Sequence, residues 1–237
     1  YYDYEADNGT VADPSSSGLL DRMEHLASVD LRWAAKPDTD IIFGYAFGII
    51  DYTGDEPIGT DGIKTLDSDY RNSQSHRLIV GADHRFNAQL SGSIRVGAQY
   101  TDYINYNDEN LSPYIDSNLT YLYGRGNTVQ VGTLHSRNPT DVQSLDQETT
   151  LFYGSINHKI TPKLVGHVLV QCQNSVFDKG PSDGDSEIFL MTGLNLSYNF
   201  NPFFLVEAGY NFDRLDSDLG NRSYSRNRCY VGVRATY

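Results

Sequence analysis

The sequence predicts an all-β protein: a transmembrane, antiparallel, up-and-down β-barrel forming one domain over residues 1–237. Three observations lead there. Long segments alternate apolar and polar residues with period two. The connections between them alternate short and long. The polar side of the segments is rich in Gly, Ser, Asn, Gln and Arg but almost free of Lys, unlike the water-facing side of a soluble sheet.

The closing stretch "NRCYVGVRATY" shows the alternation plainly. Cys229, Val231, Val233, Ala235 and Tyr237 fall on one side, and Arg228, Tyr230, Gly232, Arg234 and Thr236 on the other. After a partial strand at 1–7, similar runs fall near 20–35, 40–53, 75–87, 89–103, 112–124 and 127–137. Others follow near 148–160, 164–177, 186–200, 203–214 and 223–237. Each exceeds the roughly 5–6 residues of a soluble strand and suits a tilted membrane strand of about 9–11. The count is about twelve, and 14–16 if sequence is missing upstream; even totals suit bacterial barrels.

The tight connections "KPDT", "FNAQ", "YGRGN", "ITPK" and "NFNP" carry the residues of close turns. The long ones, at 8–19, 54–74, 104–111, 138–147, 178–185 and 215–222, are polar. Short turns at one end and long loops at the other are the arrangement of outer-membrane barrels. The negative mean hydropathy is compatible with this, because a barrel wall needs only every second residue apolar. The longest apolar run, "IIFGYAFGII", is too short for a spanning helix of about 20 residues.

Apolar parities such as Ile41, Phe43, Tyr45, Phe47 and Ile49 are expected to face lipid. Aromatics next to the tight turns, Trp33, Phe86, Tyr121, Tyr123, Phe200, Phe204 and Tyr237, form one expected interfacial girdle. Lys36, Lys159 and Lys163 lie at the same end. His84 and His158 fall on the apolar parity nearby, and His167 on the polar one. Cys172 and Cys229 read as two unpaired residues on apolar faces, with a disulfide as the minority reading.

The net charge is -13, and it is unevenly placed. The long connections together hold about two negative charges more than the whole chain, so the wall is close to neutral. The expected lumen-lining charges are Arg77, Arg85, Arg95, Asp83, Asp116, Glu207, Asp213, Arg228 and Arg234. One register of the last hairpin places Glu207 opposite Arg234 and Asp213 opposite Arg228, as structural pairs. Arg77, Arg85 and Arg95 then stand as an unpaired excess, the best candidates for a solute track.

Catalysis is not expected. The sequence holds no GxSxG, HExxH or CxxC, and the strand pattern assembles no nucleophile, base and orienter. Asp183, Asp185 and Glu187 in "SDGDSE" are a weak Ca²⁺ candidate; a solvated acidic loop is the simpler reading. No cofactor is expected. Acidic loops argue against nucleic acid, which requires a basic surface.

The stretches "LRWAAKPDTDIIFGYAFG", "SHRLIVGADHRF", "YGSINHKITPKL" and "NRCYVGVRATY" resemble the outer-membrane β-barrel porins found beside exopolysaccharide export systems. The resemblance is one of general barrel pattern and covers nearly the whole chain. It implies location in the bacterial outer membrane, with lipid and lipopolysaccharide as surroundings. It also implies engagement of the barrel-assembly machinery through the C-terminal strand ending at Tyr237. The function it implies is a channel for small hydrophilic solutes or a conduit of an export system. A non-conducting scaffold barrel that binds a protein partner or further copies of itself is the alternative. An outer-membrane hydrolase is a third reading, which would need a Ser/His/Asp cluster or paired acids at the loop rim.

Overall fold

A computed structural model describes residues 10–11, 14–60 and 64–236. The strand expected at 1–7 and the girdle position Tyr237 lie outside the described residues. Eleven long strands form one antiparallel sheet in which each pairs with the next long strand in sequence. They are β1 (Arg22–Lys36), β2 (Thr39–Tyr52), β5 (Ser73–Arg85), β6 (Leu90–Tyr103), β7 (Asp108–Tyr123) and β8 (Asn127–Asn138). The sheet continues through β9 (Asp146–Lys159), β10 (Leu164–Asp178), β11 (Ser186–Asn201), β12 (Phe204–Ser217) and β13 (Tyr224–Ala235). Each of the eleven runs expected from residue 20 onward is present. A short hairpin, β3 (Pro57–Thr60) and β4 (Thr65–Asp67), lies inside what the sequence presents as one long loop. A helix of five residues, α1 (Ser16–Leu20), and a 3₁₀ turn at Ser68–Arg71 lie in the long connections too.

Among the described residues the sheet is open between β1 and β13. Eleven antiparallel strands leave these two edges running the same way. An antiparallel seam between them therefore takes one further strand.

The wall is inverted relative to a soluble sheet. Leu31, Leu78, Phe152, Val231 and Val233 are among many large apolar side chains left more than half exposed on its outer face. So much apolar surface is untenable in water, at about 25 cal/mol per Å². On the inner face, small residues give bulky ones room. A Cβ on Gly209 would meet the Tyr230 ring at 2.3 Å, and one on Gly132 the Tyr153 ring at 2.5 Å.

Three of the five tight turns share one device: a side-chain oxygen caps two successive amides. Asn87 accepts from Gln89 and Leu90, Thr161 from Lys163 and Leu164, and Asn201 from Phe203 and Phe204. The turn between β7 and β8 instead uses Gly124 and Gly126, both at positive φ, where glycine carries no Cβ penalty.

The register of the last hairpin corrects the sequence expectation by two residues. Asp213 lies opposite Arg226, Asn211 opposite Arg228, Glu207 opposite Gly232 and Leu205 opposite Arg234. A slip of two leaves every side chain on its own face, so the alternation cannot distinguish the two registers.

Candidate functional site: the lumen and its mouth

Two carboxylates of the inner wall, Asp83 and Asp213, are each shared by two arginines. Asp83 on β5 accepts from Arg95 on β6 at 2.7 Å and lies 3.4 Å from Arg32 on β1. Asp213 on β12, 1 % exposed, accepts from Arg226 at 2.8 Å and from Arg228 at 3.0 Å. The contact expected between Asp213 and Arg228 thus forms diagonally, and the directly opposed partner is Arg226. That residue shares the polar parity of Arg228, so alternation could have found it. No such contact joins Glu207 to Arg234: they face Gly232 and Leu205.

Arg95 is not unpaired as expected. It also donates to the Ala82 carbonyl at 3.3 Å. Arg77 lies over the Tyr114 ring, 4.5 Å from its centre, an arrangement that shields the guanidinium without neutralising it. Arg85 sits opposite Ser91 and enters no ion pair among the described residues. Asp116 faces Arg95 in register, while the guanidinium of Arg95 turns to Asp83 on the other neighbouring strand.

On the outer face at the tight-turn end, Trp33, Phe86, Phe200 and Phe204 are at least half exposed. Tyr121 stacks on Tyr123, and Tyr123 on His158, whose Nδ1 lies 2.9 Å from the Tyr123 hydroxyl. His84 meets Phe86 edge to face and Thr39 at 2.8 Å. Both cysteines are free and exposed.

The mouth, at the long-loop end, is where sequence reading falls short. Its connections are not solvated loops. They pack inward around a small apolar core of Tyr52, Ile58, Leu66, Val142, Leu145 and Phe177, each no more than 6 % exposed. Residues 139–145, between β8 and β9, form a strap. Its Thr140 carbonyl accepts from Arg71, which precedes β5. Its Asp141 accepts from Arg222, which precedes β13, at 3.2 Å. β5 is three strands from β8 in one direction, and β12 is three strands from β9 in the other. A segment held to both sides therefore lies across the lumen.

Arg71 is 1 % exposed. It donates to the carbonyls of Gly18 at 2.7 Å, Leu19 at 2.9 Å and Thr140 at 3.3 Å, with the Tyr52 ring 3.9 Å away. Burial pulls its pKa below that of a free guanidinium, with the neighbouring Tyr52 acting in the opposite sense; a guanidinium stays charged in proteins. Below it, Arg137 bridges Asp146 and Asp178, and Tyr103 donates to Asp146. The space left beside the strap, between Tyr52, Gln99, Tyr103 and Asp146, is about 30 Å³. A further cavity, of about 290 Å³, is lined by Glu24, Ser75, Arg77, Gln99 and Asn138.

The acidic triplet is divided. Asp183 accepts from the Lys179 amide, and Glu187 is engaged by Arg222 at 2.6 Å and by Ser217. Among the described residues no group of His, Cys, Asp and Glu is placed to hold a metal ion.

A sequence model of the family described as "Putative beta-barrel porin 2" matches residues 65–237. The chain belongs to that family. The match runs from β4 to the last residue and takes in Arg71, the strap and nine of the eleven long strands. Before it come α1, β1, β2 and β3, so the porin 2 match covers Asp83 and Arg95 but not Arg32. Among solved structures, one titled "NanC porin structure in rhombohedral crystal form" is similar, with 9 % identity and a TM-score of 0.43. The similarity covers 92 % of this chain and 97 % of that one. No curated protein matches.

Proposed function

We propose that this porin-family chain is a bacterial outer-membrane barrel whose lumen passes small hydrophilic solutes, alone or as the conduit of an export system. The observation that carries this reading is the inverted wall: apolar side chains outward, paired charges and small polar residues inward. An outer band of that kind belongs in hydrocarbon, with lipid and lipopolysaccharide around it, and a lumen of that kind is compatible with water. In this reading Trp33, Phe86, Tyr121, Tyr123, Phe200 and Phe204 sit at the periplasmic interface. Arg77 and Arg85 face the solute, and the carboxylate-paired Arg32, Arg95, Arg226 and Arg228 line its path. β13 is the strand that the assembly machinery would engage.

A second reading rests on the packed mouth. A lumen crossed by a buried strap suits a non-conducting scaffold barrel that presents its acidic loops to a protein partner or to further copies.

Planar-bilayer conductance of the purified protein separates the two readings. Stable open steps, with a reversal potential in a salt gradient, support the channel. Silence from folded, heat-modifiable protein overturns it and leaves the scaffold.

A further inference from the structure

We propose that Arg71 is the positioning residue of the mouth: it holds the strap 139–145 across the lumen, and the strap's position sets how much of the lumen is open. The second half of the proposal rests on the channel reading above; the first half does not.

The strap has two attachments of unequal strength. At Asp141 it meets the part-exposed Arg222, which Glu187 also holds, through an exposed carboxylate. Such a pair contributes little and is screened by salt. At the adjacent Thr140, one fully buried guanidinium gathers three backbone carbonyls from two separate segments of the chain. Two of them belong to α1, which is too short to hold a place by itself. Buried carbonyls that lose a charged donor are left unsatisfied, so the segments that carry them separate to find water. The Arg71 Nε is itself buried without a partner. This guanidinium is therefore not placed to satisfy all its own donors; its position is dictated by the carbonyls it joins.

Other contacts orient the strap without fixing it to the far wall. Ser144 donates to the Asp178 and Lys179 carbonyls, and Ser182 donates to that of Gln143. These lie on the β10 side, beside the strap's own strands; the exposed Gln143 side chain also donates to the Val11 carbonyl at 3.1 Å. Arg71 is the buried polar link to the β5 side, beside the apolar core that Val142 and Leu145 share with Tyr52, Ile58 and Leu66, so its loss lets the strap swing toward β10 and widens the lumen.

The test uses the full chain in a Cys172→Ser, Cys229→Ser background, with Val142→Cys as reporter. Val142 is 6 % exposed on the strap, so a membrane-impermeant maleimide reads whether the strap stays packed. Arg71→Met keeps the side chain's length and removes its donors. The expected result is labelling at least about tenfold faster in Arg71→Met than with Arg71 present, together with larger single-channel steps. Heat-modifiability should be unchanged, because the strand ladder does not pass through Arg71. If Arg71→Met does not fold, Arg71→Lys carries the test. It keeps the charge but cannot span three carbonyls, and the same changes are expected at smaller amplitude.

Labelling as fast with Arg71 as without it overturns the proposal and leaves the channel reading intact. Faster labelling with unchanged steps overturns the claim that the strap sets the opening. Faster labelling with every variant silent in bilayers upholds Arg71's hold on the strap, and it is then the channel reading that fails.

Discussion

The two ends of this barrel are built on opposite principles. At the tight-turn end each connection closes locally: Asn87, Thr161 and Asn201 each cap two amides within three residues of their own position. At the mouth the stabilising contacts join residues far apart in sequence. Arg71 reaches Gly18 and Thr140, and Arg222 reaches Asp141. The apolar residues differ in the same way. Around the wall they point outward; at the mouth Tyr52, Ile58, Leu66, Tyr103, Val142, Leu145 and Phe177 point inward and make up seven of the nine buried apolar residues among the described residues. In the proposed outer-membrane setting the wall takes its solvent from lipid, and the mouth packs like a small water-soluble core mounted on it.

Replacing a core residue of the mouth sharpens the contrast most. Leu66→Ala should cost about 2–5 kcal/mol of local stability. Protease sensitivity should rise within residues 54–72 while the wall keeps its heat-modifiable form. Global unfolding of the barrel by this change would break the contrast. On the wall, a charge on the lipid side should act in the reverse sense. Leu194→Arg, mid-strand on the outer face of β11, is expected to destabilise the barrel by about 2–4 kcal/mol in lipid vesicles. Denaturant titration measures this, and the mouth's protease pattern should not change.

Inside the lumen, Asp213→Ala leaves two guanidiniums sharing no carboxylate, at an expected cost of about 1–3 kcal/mol. It should also move the reversal potential toward anion preference. The smallest effect belongs to the tight turns. Asn201→Ala frees two amides that water can reach, for a loss of about 0.5–1.5 kcal/mol by the same titration. Its only structural signature should be faster amide exchange at Phe203 and Phe204.

Particular residues show how far the sequence could be read. Leu31, Phe43 and Val231 reveal their face because a strand has only two faces, and neighbours two apart share one. Asn87 and Asn201 reveal their turns because the contact that makes the turn is three residues long. Ile58 and Leu66 are visible as apolar residues stranded in an acidic stretch, which hints at packing but gives no partner. Arg71 carries no signal: "SDYRNS" reads as one more polar segment. The last hairpin lies between these cases. Asp213 and its arginines are legible as lumen charges, but Arg226 and Arg228 occupy the same parity, so alternation cannot tell which one stands opposite.

The sequence by itself determined the strands, their order, the two faces of the wall and the sites of the turns, because each of these rests on contacts short in sequence or on period-two symmetry. Only the tertiary structure decided the register of β12 against β13, the sharing of Asp83 and of Asp213 between two arginines each, and the strap across the mouth. Those outcomes depend on which distant segments meet. A translation by two residues, or the folding of a loop inward rather than outward, leaves local alternation unchanged while altering every long-range partner.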